Sequence, residues 1–308
     1  MRHTRLGRSG LQVSSLGLGT RLWGSGVEED VARDLATAFV EAGGTLVDTS
    51  PTYGHGAAES WLGSFVGSVA ARDDVTLMTR VGAVRRGDRV VVDGSRSAVL
   101  TGLEESLRRL RTDHVDLLLT QAWDPQVPIE ETLEAVEYAV RSGKARYVGV
   151  GNHAGWQLAR AATLQEGRRM PLVAASTEYS LVDRLAELEV IPAARALGVG
   201  VIAWGPLGRG VLTGKYRSAS PTTSAGRVGL PARYLDGHAV GVADAVVTAA
   251  RGMQVSPAEV ALAWARDAGG VDAVVVGARS VAHVRAAVAS QSLVLPAEIR
   301  AALTDVSD

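Results

Sequence analysis

The chain contains no cysteine, which removes disulfides, thiolate metal sites and a thiol nucleophile from consideration and leaves the redox compartment open. It has no excess of either charge: 32 basic side chains stand against 33 acidic ones, for a formal net charge of −1. Such a balance carries no electrostatic footprint for nucleic acid or an anionic membrane, and a small molecule is the expected partner. No ligand spacing such as His-Glu-x-x-His joins the six histidines, His3, His55, His114, His153, His238 and His283. They read as surface or loop residues, and no metal is expected. No stretch resembles a signal peptide and no run approaches the ~20 apolar residues of a membrane span, so a cytoplasmic protein is expected. Linkers and low-complexity tails are also missing. The 308 residues therefore read as one domain, 1–308, at a length that suits an α/β barrel of roughly 250 residues with insertions.

What is present is an alternation. Short apolar runs, each ending on a polar residue or glycine, predict strands near Leu16–Gly19, Thr45–Asp48, Val75–Arg80, Val115–Gln121, Ala145–Val150, Leu172–Ser176, Gly200–Trp204 and Ala273–Val276. Between them, apolar residues three or four apart predict amphipathic helices over Glu28–Ala42, Arg96–Arg111, Ile129–Arg141, Trp156–Glu166, Arg184–Leu197, Pro257–Ala268 and Val281–Ala289. Strand and helix in alternation imply a parallel sheet with right-handed crossovers, and eight repeats suit an α/β fold closed as a (β/α)8 TIM barrel; an open Rossmann-type sheet is the alternative. Ahead of the first strand, Arg8-Ser9-Gly10 between Arg5-Leu6 and Leu11-Gln12-Val13 reads as an N-terminal β-hairpin that could close the barrel floor. Tyr216–Gly241, rich in Ser, Thr, Gly and Pro, has no periodicity and reads as a mobile loop over the site.

In such barrels the chemistry gathers at the carboxyl ends of the strands. The residues found there are Asp48, Arg80, Gln121, Asn152, Ser176 with Glu178, Trp204 with Gly205, and Gly277 with Arg279. Asp48 and Arg80 end neighbouring strands, where pairing offsets the desolvation each would suffer alone, and Tyr53 follows five residues after Asp48. A rim ion pair that only satisfies two charges is the plain alternative for Asp48 and Arg80, and a surface position is the plain alternative for Tyr53. Their coincidence at one rim favours chemistry.

Several longer stretches then match a known pattern: LGRSGLQVSSLGLGTRLWG, TLVDTSPTYGHGAAESWLG, LEESLRRLRTDHVDLLL, YVGVGNHAGWQL, EYSLVDR and GPLGRGVLTGKY. On these the chain resembles the aldo-keto reductases over nearly its whole length. The resemblance implies a β/α barrel that reduces carbonyl compounds with a nicotinamide cofactor, NADPH more often than NADH, using an Asp, Tyr, Lys and His tetrad. Asp48 and Tyr53 look like its first two members, while the Lys falls on Arg80 and the His on Gln121. For the cofactor, the resemblance points to Gly19, Thr20 and Trp23 in the first loop and to Asp48 below them. Asn152 and Ser176 fall at the carboxamide, where Ser176 stands in place of the family's Gln. Trp204 falls where the nicotinamide ring stacks, and Gly205, Leu207, Gly208 and Arg209 match the diphosphate loop. Gly277, Ala278, Arg279, Ser280 and His283 overlie the segment that holds the adenosine phosphate, where a helix start favours an anion on its own account. The Asn usual at the adenine falls on Ala287.

Arg80 is never deprotonated, so it supplies field and hydrogen bonds to the Tyr53 phenol without passing a proton onward, and Gln121 keeps an N–H donor but cannot titrate. Ordinary aldehyde reduction is therefore expected to be slow. The chain is expected to be an NADPH-dependent oxidoreductase acting on a ketone, imine or conjugated double bond. Two alternatives stay open, a non-redox acid/base enzyme on the same scaffold and a cofactor-binding regulatory protein. Trp23, Tyr53, Trp123 and the 216–241 loop are the expected substrate walls, although Trp123 packing its own loop is an equal reading. The bias toward Ala, Val, Arg and Gly suggests a GC-rich genome, and with it a specialised substrate.

Overall fold

The computed structural model describes residues 1–87, 89–216, 232–234 and 236–308. Twelve strands appear among them. An antiparallel hairpin, β1 (His3–Arg5) with β2 (Gln12–Ser14), precedes the barrel. The barrel strands are β3 (Leu16–Gly19), β4 (Leu46–Asp48), β5 (Thr76–Val81), β8 (Val115–Thr120), β9 (Ala145–Gly151), β10 (Ala174–Glu178), β11 (Gly200–Trp204) and β12 (Ala273–Gly277). They close in the order β10, β11, β12, β3, β4, β5, β8, β9, every pair parallel. Closure settles the choice against an open Rossmann-type sheet. A second hairpin, β6 (Ala83–Arg86) with β7 (Arg89–Val92), leaves the barrel after β5.

The apolar side chains divide as a closed barrel requires. Leu46, Met78, Leu117, Leu119, Ala174, Ile202, Ala273 and Val275 fill the interior, and the alternate strand residues meet the surrounding helices. Leu6, Leu11 and Val13 of the first hairpin join the interior set, and the Arg8 amide donates to the Gly198 carbonyl at 2.8 Å. The hairpin therefore stoppers the floor, as expected from its turn. Because strand side chains alternate, the inward face continues upward from Leu46 to Asp48, from Met78 to Arg80, from Leu119 to Gln121, from Ala174 to Ser176 and from Ile202 to Trp204. The polar ends of the strands are thus delivered to the mouth by the same periodicity that fills the core.

The helices follow their sequence signals with instructive departures. Ser256 caps the helix Pro257–Arg266, accepting from the Glu259 amide while Glu259 accepts from the Ser256 amide, a reciprocal arrangement in which the Ser side chain alone contributes about 1 kcal/mol. The predicted helix Arg184–Leu197 is broken: a short turn, Leu185–Glu187, precedes the helix Val190–Leu197, and Arg184 is tied sideways to Glu187 and the chain end. The predicted loop over 216–241 is also too long. Asp236 caps a helix over Gly237–Met253, and residues 217–231 and 235 lie outside the described residues. The helices Ala57–Phe65 and Ala297–Val306 were not foreseen. Among the described residues no helix is long and apolar enough to cross a membrane.

Candidate active site

The mouth is built around one buried guanidinium. Arg80, 3% exposed, reaches across the top of the barrel from β5 to β10. Its Nη2 donates to Asp48 Oδ1 at 3.1 Å and to Ser176 Oγ at 3.0 Å. Its Nε and Nη1 are buried without a hydrogen-bond partner. Gly151 on β9 makes room for it, since a Cβ there would stand 2.8 Å from Nη1 and 2.6 Å from the Thr120 carbonyl oxygen. Asp48 is held from below, its carbonyl accepting from the Thr20 amide at 2.9 Å and the Thr20 hydroxyl at 3.0 Å.

Tyr53 completes the group. It lies in a turn that its amide opens by donating to the Ser50 carbonyl. Gly54, His55 and Gly56 follow in left-handed backbone, and Gly54 has to be glycine because a Cβ would stand 2.2 Å from the Trp23 carbonyl oxygen. Burial, followed by the Asp48 carboxylate, pushes the phenol up to about 12, against the opposing pull of Arg80 and Arg21. Burial also raises the Asp48 carboxyl, although Arg80 and Tyr53 hold it down, and the carboxylate in turn raises the Arg80 guanidinium. The result is a protonated phenol beside a cation that does not titrate.

A second group continues the rim from β8 through β9 to β11. The Gln121 amide nitrogen donates to the Val81 carbonyl at 2.7 Å, and the Gln121 carbonyl accepts from Asn152 Nδ2 at 2.8 Å. Asn152, in left-handed backbone, accepts in turn from Trp204 Nε1 at 3.0 Å. The indole of Trp204 is therefore fixed by the amide next to it. Gln121 Oε1 is buried without a partner, and a half turn of the amide would put its NH2 there instead. Ser176, placed by the sequence at the carboxamide, is 1% exposed and spends its hydroxyl on Arg80.

Beyond Trp204 the chain makes a tight turn through Gly205, Leu207, Gly208 and Arg209. Gly205, Gly208, Arg209 and Gly210 all have left-handed backbone. Arg209 Nε is buried and lies 3.9 Å from Glu178 Oε1, too far for a hydrogen bond. Glu178 is engaged by Arg233 and the Tyr234 hydroxyl. After β12, Gly277 and Arg279 are exposed and Ala278 is buried. Ser280 caps the helix Val281–Ala289 through the His283 amide, and the Arg279 amide donates to His283 Nδ1. An unpaired buried N–H on Arg209, a fixed indole, an exposed arginine and a helix N-terminus on one side of the rim make a donor set that fits a polyanionic dinucleotide.

One placement differs from the sequence reading: Trp23, expected to line the mouth, is 0% exposed and packs its ring on Phe65 at 5.8 Å. His153, in the loop after β9, is 5% exposed; Nδ1 donates to the Gly151 carbonyl, and burial lowers its pKa, leaving Nε2 without a partner among the described residues. Trp123 packs edge-on against His153 and the exposed Trp156 of the following connection. Arg21 went unnoticed in the sequence, although it directly follows Thr20, the residue that clasps Asp48.

A parallel barrel with a phenol, a carboxylate and a buried cation at its carboxyl rim defines an oxidoreductase of a known class. The chain belongs to the aldo/keto reductase family, whose model matches residues 15–308, a family of enzymes that use nicotinamide cofactors on small-molecule substrates. It is 36% identical over 317 aligned residues to YrpG of Bacillus subtilis (strain 168), an uncharacterised oxidoreductase, with 99% of this chain and 96% of the relative covered. It is 33% identical over 220 residues to YhdN of the same organism, an aldo-keto reductase, covering 70% of this chain and 65% of that protein.

Proposed function

We propose that residues 1–308 form one reductase domain that reduces a ketone, imine or conjugated double bond of a specialised small molecule with NADPH. NADPH, when bound, supplies the hydride. Trp204, Asn152 and the turn to Arg209 would hold its nicotinamide and diphosphate, and Arg279 with the Ser280-capped helix start its adenosine phosphate. The Tyr53 hydroxyl gives its proton to the carbonyl oxygen of the substrate, and the resulting phenolate lies beside Arg80. Arg80, fixed by Asp48 and Ser176, stabilises that phenolate without exchanging a proton. Gln121, at the end of the strand next to that of Arg80, orients the substrate oxygen.

One observation carries this reading: the guanidinium of Arg80 is locked between Asp48 and Ser176, with the phenol of Tyr53 held protonated beside it. A phenol pushed up to about 12 is protonated at neutral pH, so it is in the form that gives a proton and not in the form that takes one, which favours reduction over chemistry begun by proton abstraction. Replacing Tyr53 by Phe removes the donor and leaves the proposed cofactor contacts in place. Tyr53→Phe is expected to lose turnover by a factor of about 10²–10⁴ while quenching of tryptophan fluorescence by NADPH persists. Unchanged turnover would remove Tyr53 from the mechanism. Substrate consumption without loss of NADPH absorbance would replace reduction by non-redox chemistry.

A further inference from the structure

The rim is not uniform in charge. β3, β4 and β5 are neighbours in the closed order, so the segments that follow them lie side by side: the loop with Arg21, the turn with Tyr53, and the hairpin β6–β7. This sector exposes Arg21, His55, Arg85, Arg86 and Arg89. Of these residues only Arg86 has an acidic partner among the described residues, Asp93 at 3.5 Å. Glu28, Glu29 and Asp30, at the start of the helix Glu29–Glu41 on the same connection, form no ion pair with Arg21.

Arg21 is the cation of this sector that stands on a rigid base beside the reacting group. Its loop is clasped at Thr20 by two hydrogen bonds to the Asp48 carbonyl and is closed by the Trp23 amide donating to the Thr20 carbonyl at 2.9 Å. It is packed directly on the Tyr53 turn: a Cβ at Gly54 would stand 2.2 Å from the Trp23 oxygen, and one at Gly24 would stand 3.2 Å from the Gly54 Cα. The positive charge of Arg21 accordingly reaches the Tyr53 phenol and favours its ionised form. Arg80, the other cation at this phenol, is already committed to Asp48. Among the described residues the guanidinium of Arg21 therefore has no ion pair, and it stands exposed on the loop packed against the turn of the proton donor. A planar guanidinium with five donors is suited to an oxyanion taken two atoms at a time.

We infer that Arg21 receives an acidic group of the substrate, so that the compound reduced beside Tyr53 is an aldehyde or ketone that also carries a carboxylate. The inference rests on Tyr53 being the proton donor. The cofactor anions are assigned to other side chains, Arg209 and Arg279, which follow β11 and β12. The exposed Arg85 and Arg89 add attraction at longer range, which salt screens.

The test uses a matched pair of probes, 4-carboxybenzaldehyde and its neutral methyl ester, with NADPH and the whole chain. Wild type is expected to favour the acid in kcat/KM. Arg21→Gln is expected to lose up to about fivefold more on the acid than on the ester, the scale of one exposed charge pair, whatever loss the two probes share through the phenol. Arg21→Lys is expected to restore most of that loss. Equal losses on acid and ester would overturn the inference, as would a fall in NADPH affinity, which would assign Arg21 to the dinucleotide. If wild type reduces neither probe, titration of tryptophan fluorescence with terephthalate in the presence of NADP⁺ decides the role of Arg21, and the reading of Tyr53 is tested separately by Tyr53→Phe. Binding weakened by Arg21→Gln supports the anion site, and binding indifferent to the substitution rejects it.

Discussion

Replacing Gly151 by Ala tests the seat of the guanidinium with a single methyl group. The added Cβ would stand 2.6 Å from the Thr120 carbonyl oxygen, 2.8 Å from Arg80 Nη1 and 3.1 Å from the Gln121 carbonyl oxygen. Two of these three neighbours are backbone. Thr120 is fixed by its register against Val150, and the Gln121 carbonyl is occupied by Asn152, so neither retreats without opening the β8–β9 pair. The guanidinium is the softer neighbour, yet it is tied at Asp48 and Ser176. Overpacking of a filled site costs about 1–3 kcal/mol, and a contact that forces backbone belongs at the upper end, about 3 kcal/mol.

Urea unfolding reads this directly, because a lower midpoint at unchanged slope is a loss of stability without a change in the surface exposed. Turnover of an aldehyde probe is expected to fall in the same variant, since Arg80 leaves its place beside Tyr53. Gly102→Ala is the control. That position lies inside the helix Arg96–Leu110 with open space around it, and the exchange should stabilise by about 0.5–1 kcal/mol. A Gly151→Ala protein as stable and as active as wild type would show that the guanidinium does not need this seat.

Ser176→Ala deprives Arg80 Nη2 of one acceptor and adds to the two N–H groups already unpartnered; it should cost about 1–3 kcal/mol in thermal or urea unfolding and lower kcat, with Ser176→Thr restoring both, whereas an unaffected Ser176→Ala would make the serine a bystander. The phenol supplies a pH prediction with a definite sign: its folded-state value of about 12 lies above the ordinary 10.0, so its contribution to stability is complete below about pH 10 and is lost as pH rises through 12. Reduction, which uses the protonated phenol, should show no decline due to Tyr53 between neutrality and about pH 10, and a rate limb that falls with a midpoint below 10 and vanishes in Tyr53→Phe would refute the placement of that proton.

The barrel was legible because short apolar runs alternate with helical periodicity along the whole chain. Runs ending on a polar residue or glycine marked all eight barrel strands, and the boundaries moved by at most two residues, at Leu172–Ser176, which became Ala174–Glu178. The missed elements have weak signals for identifiable reasons. The helix Ala57–Phe65 is only nine residues long and follows a left-handed turn. The hairpin β6–β7 exposes Val90 and Val91, so its alternation has no buried face to report. At the site, Asp48, Tyr53 and Arg80 were found because they stand at or just beyond strand ends. Ser176 was seen at its position but not in its contact, since a bond that crosses the mouth from β5 to β10 depends on the width of the barrel, which no local pattern encodes. Trp23 misled in the opposite way: a loop indole reads the same in sequence whether it faces a ligand or the core.

The physical consequence of this site is a fixed charge where a titratable one would otherwise stand. The guanidinium of Arg80 stays protonated, and Asp48 reinforces it. The field on the Tyr53 phenol therefore does not vary with pH until the phenol itself ionises. Arg80 has no proton to lend, and Gln121, at the end of the neighbouring strand, does not titrate, so neither offers the phenol a relay. Its lost proton must return from the open side of the mouth, where Tyr53 is only half-buried. That places a solvent exchange step after each transfer and makes the stability of the phenolate the quantity to control. Two arginines raise it, one buried and committed to Asp48, the other exposed and without an ion pair among the described residues, on the adjoining loop. A substrate anion taken up by Arg21 would neutralise the second of them while bound and so keep the phenol protonated until transfer. Departure of the product would restore that positive charge at the mouth.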